Sequence, residues 1–67
     1  MRQHDVELTV VGVEQSEMVA FGLNLEAADD ATDEDIKNFA IGFWLDNPEP
    51  GFEDYRPFMV RIDGLRA

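Results

Sequence analysis

Cysteine is absent from this chain of 67 residues, and histidine, serine and lysine occur once each, as His4, Ser16 and Lys37. Without cysteine there is neither a disulfide framework nor a thiolate metal site to support a small core. No apolar run approaches the ~20 residues of a membrane-spanning helix, and the first residues do not lead into the apolar region of a signal peptide. We expect a soluble, cytoplasmic protein with no membrane partner.

Residue types that carry out catalysis are equally scarce. A Ser-His-Asp arrangement would need Ser16, on an expected hairpin tip, and His4, on an N-terminal tail that we expect to be mobile. Carboxylates are abundant, but general acid catalysis needs a buried one with a raised pKa, and these are expected on loops and at a helix start. We therefore predict a protein that is not an enzyme and needs no cofactor.

The chain has enough apolar residues to fold in spite of its charge. Apolar residues make up 45% of it, including five phenylalanines, which is too many for a disordered acidic tail. A domain of this size buries only about 60% of its unfolded surface, so its margin of stability is thin. We expect one domain over residues 1–67.

Two apolar alternations near the N-terminus predict a β-hairpin. Apolar residues alternate with polar ones over 6–10, which predicts a strand over 6–13, and the same period of two recurs over 19–25. The four residues 14–17 between these runs are of a suitable length for a hairpin link. Gly12 and Gly22 lie inside the expected strands and suggest a bulge or a close approach of another element.

A helix is predicted after residues 27–31. Thr32 can cap its N-terminus, and the three carboxylates that follow are favourable at the positive end of the helix dipole. A stripe of five apolar residues at helical spacing is expected to face the core: Ile36, Phe39, Ala40, Phe43 and Trp44. Gly42 suggests close packing of this helix on a strand, and Asn47 before Pro48 should end it.

A last strand is predicted over 56–63, with Phe58, Val60 and Ile62 inward and Met59 outward. Pro57 favours an edge position or the start of the strand, because proline cannot donate to a ladder. The fold class is therefore α+β, in the order β-β-α-β, with one helix across one face of an antiparallel sheet. The pattern does not decide whether the last strand pairs with the first or the second.

Acidic residues are concentrated in the middle of the chain. Twelve of the fifteen lie between Glu14 and Asp54, where Lys37 is the only basic residue, so this stretch carries a formal charge of −11 and the whole chain −10. The flanking residues sum to −1 and +2. Such a field favours a protein that meets a basic surface.

Direct binding of a metal or of nucleic acid is not supported. An EF-hand loop that starts at Asp29 would have Glu34 at its sixth position, and one that starts at Asp33 would have Asn38, where glycine is required. A phosphate backbone must be neutralised by clustered basic residues. If the last strand is regular, Arg56 and Arg61 point to opposite faces.

The acid falls into two groups, one at each end of the predicted helix. The N-terminal acidic lobe consists of Glu26, Asp29, Asp30, Asp33, Glu34 and Asp35. The C-terminal acidic lobe consists of Asp46, Glu49, Glu53 and Asp54. Thirteen helical residues would hold them roughly 20 Å apart, an arrangement that could imitate spaced phosphates for a basic channel.

Two aromatic residues flank acid in the C-terminal acidic lobe. Phe52 and Tyr55 surround Glu53 and Asp54, and an aromatic among carboxylates is a plausible anchor for a basic partner. The alternative is that Phe52 folds back over the small core. Both aromatics are included in the predicted partner-binding surface.

In size, lack of cysteine and acid-dense segments over 26–35 and 46–54, the chain resembles the small acidic inhibitors that phages make against host defence. These include anti-restriction and anti-CRISPR proteins that mimic DNA. The resemblance is one of character, and no functional residue is carried over from it. It implies a monomer or homodimer that blocks the DNA-binding surface of a nuclease or CRISPR surveillance complex stoichiometrically, in the bacterial cytoplasm.

The abundance of acid is also compatible with two further classes of protein. Proteins of extreme halophiles are rich in acid and poor in lysine, and there the charge maintains solubility in concentrated salt; the uneven charge distribution and the five phenylalanines count against this class. An acidic antitoxin or regulatory subunit that covers a basic protein would use the same physics as a DNA mimic, with a different target.

Overall fold

The computed structural model of the protein describes residues 1–12, 14 and 17–66, the last of these by its backbone alone. Within them, β1 (Arg2–Gly12), β2 (Met18–Ala27), α1 (Asp33–Asp46), β3 (Tyr55–Ile62) and a short β4 (Leu65–Arg66) follow in order. The expected α+β class and β-β-α-β order are confirmed. β4 adds a two-residue strand at the end.

The strands form one antiparallel sheet in the order β2-β1-β3-β4, so β1 is central and the last long strand pairs with it. β1 starts at Arg2, four residues before the predicted strand. The backbone N–H of Gly12 donates to the carbonyl of Glu17 (2.8 Å), which continues the β1–β2 ladder toward the link. Val13, Gln15 and Ser16, which belong to the predicted strand end and link, lie outside the described residues.

The core lies between one face of the sheet and one side of the helix. Its buried apolar residues are Val6, Leu8, Val10, Ile36, Ala40, Trp44, Val60 and Ile62. The indole N–H of Trp44 donates to the backbone carbonyl of Tyr55 (3.0 Å), and its ring lies 5.1 Å from that of Phe21. Trp44 therefore connects the end of the helix to the start of β3, as well as filling the core.

The helix begins and ends where the sequence predicts. Thr32 caps it: its hydroxyl accepts from the N–H of Asp35, while the carboxylate of Asp35 accepts from the N–H of Thr32. This reciprocal capping box satisfies two backbone donors that the first turn leaves free. Asn47 is the C-cap, directly before Pro48.

The predicted apolar stripe of the helix is only partly correct. Ile36, Ala40 and Trp44 are buried, but Phe39 and Phe43 are 58% and 43% exposed. The helix packs over β3 and β1, so its flank toward β2 stays open. Ile41, on the other flank, packs against the core instead.

A β-bulge in β3 overturns two further predictions. Thr9 pairs with Met59 and Val10 with Pro57, so Phe58 has no residue opposite it. Phe58 is consequently 60% exposed, where the regular alternation predicted it inward. The extra residue also reverses the alternation, and Arg56 and Arg61, opposite Val11 and Glu7, share the face away from the helix.

The predictions made for Gly22 and Gly42 are also wrong. The bulge lies at Phe58 and not at Gly12 or Gly22. A β-carbon added to Gly22 or Gly42 would meet no atom within 4 Å, so neither marks a close approach. Glycine is needed instead at Gly64, which follows Asp63 in a two-residue turn with positive φ at both residues (85° and 52°). This hairpin turn ends β3 at Ile62 and leads into β4.

Candidate acidic binding surface

Every carboxylate of the N-terminal acidic lobe belongs to a solvent-exposed residue. Glu26 lies near the end of β2, opposite Gln3, whose amide is 3.5 Å from its carboxylate. Asp29 and Asp30 form a turn, and the other three acids occupy the first turn of α1. The lobe is therefore continuous from the strand end into the helix start.

The acids of this lobe differ in what they already bind. Asp29 accepts the N-terminal ammonium group of Met1 at 3.3 Å, and Asp35 is held by the capping box. Within the described residues, Asp30, Asp33 and Glu34 make no ion pair and no side-chain hydrogen bond. These three are the carboxylates of the lobe that are free for a partner.

The C-terminal acidic lobe is also exposed, but it does not form a single patch. Asp54 lines an open cleft of about 650 Å³ together with Gly12 and Gly51. Asp46 and Glu49 instead border grooves beside Phe43, on the open flank of the helix. Asp54 therefore borders a different cleft from Asp46 and Glu49.

Glu53 has a local structural role in this lobe. Its two carboxylate oxygens accept from the N–H of Gly51 at 3.2 and 3.1 Å, in a turn where Gly51 has a φ of 91°. Hydrogen bonds from the backbone N–H of Glu53 itself and from that of Gly51 hold the pKa of its carboxyl below its ordinary value. Glu53 thus stays ionised and stabilises the loop that carries Asp54.

The cleft at Asp54 brings in acids that the sequence did not predict for the surface. Glu14 and Glu17, at the end of the hairpin, line it together with Asp54, Tyr55 and Arg56. Loss of solvation and the nearby Glu17 carboxylate raise the pKa of Tyr55. The pairing of β3 with β1 creates this cleft, and the sequence pattern had left that pairing undecided.

The two aromatic residues of the predicted surface lie against the core. Phe52 contacts the rings of Phe21 and Tyr55 edge to face, with centroids 5.4 and 4.9 Å apart. Both Phe52 and Tyr55 are half-buried and pack on the core cluster. This favours the interpretation that Phe52 folds back over the core.

His4 does not lie on a mobile tail. It belongs to β1, is only 8% exposed, and its Nδ1 is 2.8 Å from a carboxylate oxygen of Asp63. The other oxygen of Asp63 accepts from the N–H of Asp5 (3.0 Å), and the N–H of Asp63 donates to the carbonyl of Asp5. The hydrogen bond with His4, followed by that from Asp5, holds the pKa of Asp63 below its ordinary value. The pair thus fastens the β3–β4 turn to β1.

No lysine or arginine pairs with an acid of the two lobes in the described part of the chain. The ion pairs found there are Met1 with Asp29 and His4 with Asp63, and neither uses a lysine or an arginine. Among the same residues, no group of three or more histidine, aspartate or glutamate side chains is arranged to hold a metal ion. No helix among them is both long and apolar enough to cross a membrane.

Comparison of the chain with protein-family models, with curated proteins and with solved structures finds no match.

Proposed function

We propose that this protein acts by binding and not by catalysis, and that its acidic lobes occupy a basic, nucleic-acid-binding surface of another protein in place of DNA. The observation that carries the proposal is the exposure of all ten lobe carboxylates, none of which pairs with a lysine or arginine in the described residues. Carboxylates that were already paired with basic side chains of the same chain would attract a basic partner only weakly.

The spacing of the lobes suits a surface that normally binds phosphates. The 14 residues of α1 span about 21 Å at 1.5 Å per residue, which corresponds to about six phosphates along one DNA strand. A basic channel attracts such charges over a long range and loses counterions when it binds them. The acids near Asp54, including Glu14 and Glu17, extend the surface beyond the helix axis.

The target that best fits this mode of action is a host-defence nuclease or a CRISPR surveillance complex in a bacterium. A stoichiometric competitor for DNA needs a rigid scaffold, exposed acid and no cofactor, and the small acidic phage inhibitors that this chain resembles combine these properties. An antitoxin that covers a basic toxin is the nearest alternative, and DNA would fail to displace the chain from such a target.

Reversal of charge at the free acids tests the lobes. We expect Asp30→Lys and Asp54→Lys each to weaken binding to a partner captured from bacterial lysate by about tenfold or more, equivalent to about 1.4 kcal/mol. The matched control is Glu7→Lys, which makes the same charge change at an exposed position on the sheet face away from the helix. It should change affinity by no more than about threefold.

The structure improves the choice of residues for this test. Asp35 and Glu53 are unsuitable because they cap the helix and support the Gly51 turn, so their loss would confuse folding with binding. Circular dichroism should show all three lysine variants to be folded. Equal weakening by Glu7→Lys and the lobe variants would mean that net charge, and not the lobes, determines binding.

Circular dichroism also separates this proposal from a halophilic adaptation. We expect the wild-type chain to be folded in ~0.15 M salt, since its core and capping do not depend on screening. A halophilic protein of this charge should lose its ellipticity there and regain it in molar salt. Such a loss would remove the basis for assigning the acid to a partner.

A further inference from the structure

The two edges of the sheet are built differently. The open part of the β3 edge contains Pro57 and the bulge at Phe58, and its end is covered by β4. Prolines, bulges and charges are the usual devices that prevent an edge strand from pairing with another chain. β2, at the opposite edge, has ten residues, an uninterrupted register with β1, no proline and no charged residue before Glu26.

The register identifies which backbone groups this edge leaves open. Gly12 and Glu17 form a hydrogen-bonded pair, and such pairs recur at every second residue of an antiparallel ladder. Odd-numbered residues of β2 therefore bond to β1. The even-numbered residues direct their N–H and C=O groups away from β1, with no pairing strand among the described residues: Met18, Ala20, Gly22, Asn24 and Glu26.

An apolar strip runs beside these open groups. The helix lies over β3 and β1, so the helix-side residues of β2 are only half-buried: Val19, Phe21, Leu23 and Leu25. Phe39 borders a hollow of about 220 Å³ with Leu25 and Ile36. Phe43 borders another of about 100 Å³ with Phe21 and Leu23. The edge thus offers both backbone hydrogen bonds and apolar contacts.

We propose that β2 pairs with β2 of a second copy of this chain, antiparallel, about a two-fold axis at Gly22. The outward N–H and C=O groups of the two strands can bond to each other only when even-numbered residues of one copy lie opposite even-numbered residues of the other. With the axis at Gly22, the two strands pair along their whole length from Met18 to Glu26. Phe21 then faces Leu23 of the second copy, and Val19 faces Leu25. Every pair on the helix side is apolar, and about ten backbone hydrogen bonds form.

The charge distribution favours a second copy as the occupant. Residues 18–25 carry no charge in a chain of net charge −10, so they form a segment that another equally acidic molecule can approach. The axis at Gly22 keeps the two Glu26 residues eight positions apart, about 27 Å at 3.4 Å per residue. That distance exceeds the Debye length of about 8 Å at physiological salt.

Acids still border the pairing surface at its two ends. Glu26 and Asp35 lie near one end, and Glu17 directly precedes Met18 at the other. Glu49 borders the hollow at Phe21 and Leu23 between them. Antiparallel pairing brings one end of each copy near the other end of its partner, where like charges repel. Dimerisation should therefore strengthen as salt rises, whereas binding of the lobes to a basic partner should weaken. Because the two salt dependences are opposite, the dimer proposal and the proposed binding of a basic partner can be tested and rejected independently.

A single cysteine tests the register, because the chain has none of its own. Cα atoms of a hydrogen-bonded antiparallel pair are about 5.5 Å apart, within the range for a disulfide. Gly22→Cys should therefore give a covalent dimer of twice 7.6 kDa under mild oxidation. The matched control is Ala20→Cys on the same edge and face, whose copies would lie about 14 Å apart and should remain uncrosslinked.

A proline variant tests the hydrogen bonds without cysteine. The N–H of Ala20 points away from β1, so Ala20→Pro removes an intermolecular donor and keeps the β1 ladder. Sedimentation between ~1 and ~200 µM should show dimer for wild type and for the control Ala20→Ser, and monomer for Ala20→Pro. A wild-type monomer throughout, a folded dimeric Ala20→Pro, or equal crosslinking at positions 20 and 22 would each overturn the proposal.

Discussion

Replacement of Trp44 by phenylalanine tests how the helix is fixed to the sheet. The buried indole donates to the carbonyl of Tyr55 at 3.0 Å, and phenylalanine keeps an aromatic ring beside Phe21 but loses this donor. A carbonyl left without a partner costs about 1–3 kcal/mol, and the smaller ring adds about 1 kcal/mol of lost burial. We expect Trp44→Phe to lower the free energy of unfolding by about 2–4 kcal/mol.

This loss is a large fraction of the total free energy of unfolding expected for the chain. At about 0.05–0.15 kcal/mol per residue, a chain of 67 residues is stable by about 3–10 kcal/mol. Urea unfolding followed by far-ultraviolet circular dichroism measures the change without depending on tryptophan fluorescence. Two protein concentrations should be compared, because self-association would make stability depend on concentration.

The matched control for this substitution is Phe58→Leu. Phe58 projects from the bulge and is 60% exposed, so its change should cost no more than about 0.5 kcal/mol. A loss below about 0.5 kcal/mol for Trp44→Phe would refute the idea that the indole connects the helix to β3.

Three further outcomes follow from the structure. The contacts of Asp63 with His4 and Asp5 lower its pKa in the folded protein below the ordinary value of 3.8. These contacts therefore stabilise the fold at pH values above 3.8, and their contribution is lost as the pH falls through the lowered pKa of the folded state. The stability difference between wild type and Asp63→Asn, measured by urea titration from pH 7 to pH 2.5, should therefore shrink below about pH 4, and a constant difference would contradict this. Gly42→Ala should stabilise the fold by about 0.5–1 kcal/mol and raise the melting temperature, because alanine favours a helix more than glycine does and a β-carbon there meets no atom within 4 Å. A lower melting temperature would show that the added methyl group is crowded. Asp46→Lys should stabilise by about 0.3–1 kcal/mol, since the last helical turn holds an acid and no base; a loss of stability would show that Asp46 has a favourable local partner.

Local signals in the sequence were sufficient for most of the fold. Thr32 and Asp35 define the helix start through contacts three residues apart, and Asn47 with Pro48 defines its end. The alternation over 19–25 predicts β2, and its odd-numbered residues do face the helix. Each of these signals depends on neighbours along the chain, which a single sequence displays.

The errors concern contacts between distant segments. Phe39 and Phe43 fit the helical stripe, but the position of the helix over β3 and β1 decides which flank is covered. Phe58 fits the alternation until the bulge opposite Thr9 and Val10 shifts it. Neither the position of the helix nor the bulge produces a recognisable pattern in the sequence around these phenylalanines.

In the candidate site, too, features set by local sequence were predictable and those set by contacts between distant segments were not. The exposure of the two lobes followed from their composition, whereas the separation of Asp54 from Asp46 and Glu49 depends on how the loop after the helix folds. The addition of Glu14 and Glu17 required the pairing of β3 with β1. His4 looked like a tail residue because its partner, Asp63, lies 59 positions away.

Displacement by DNA tests the central proposal most directly. A partner captured on the immobilised chain from bacterial lysate should be released by short duplex DNA, and its affinity for the chain should fall steeply between about 0.05 and 0.5 M salt. Asp30→Lys and Asp54→Lys should each weaken binding of this partner by about tenfold or more, whereas Glu7→Lys should retain it. A partner that duplex DNA fails to displace, or whose affinity is independent of salt, would contradict the account.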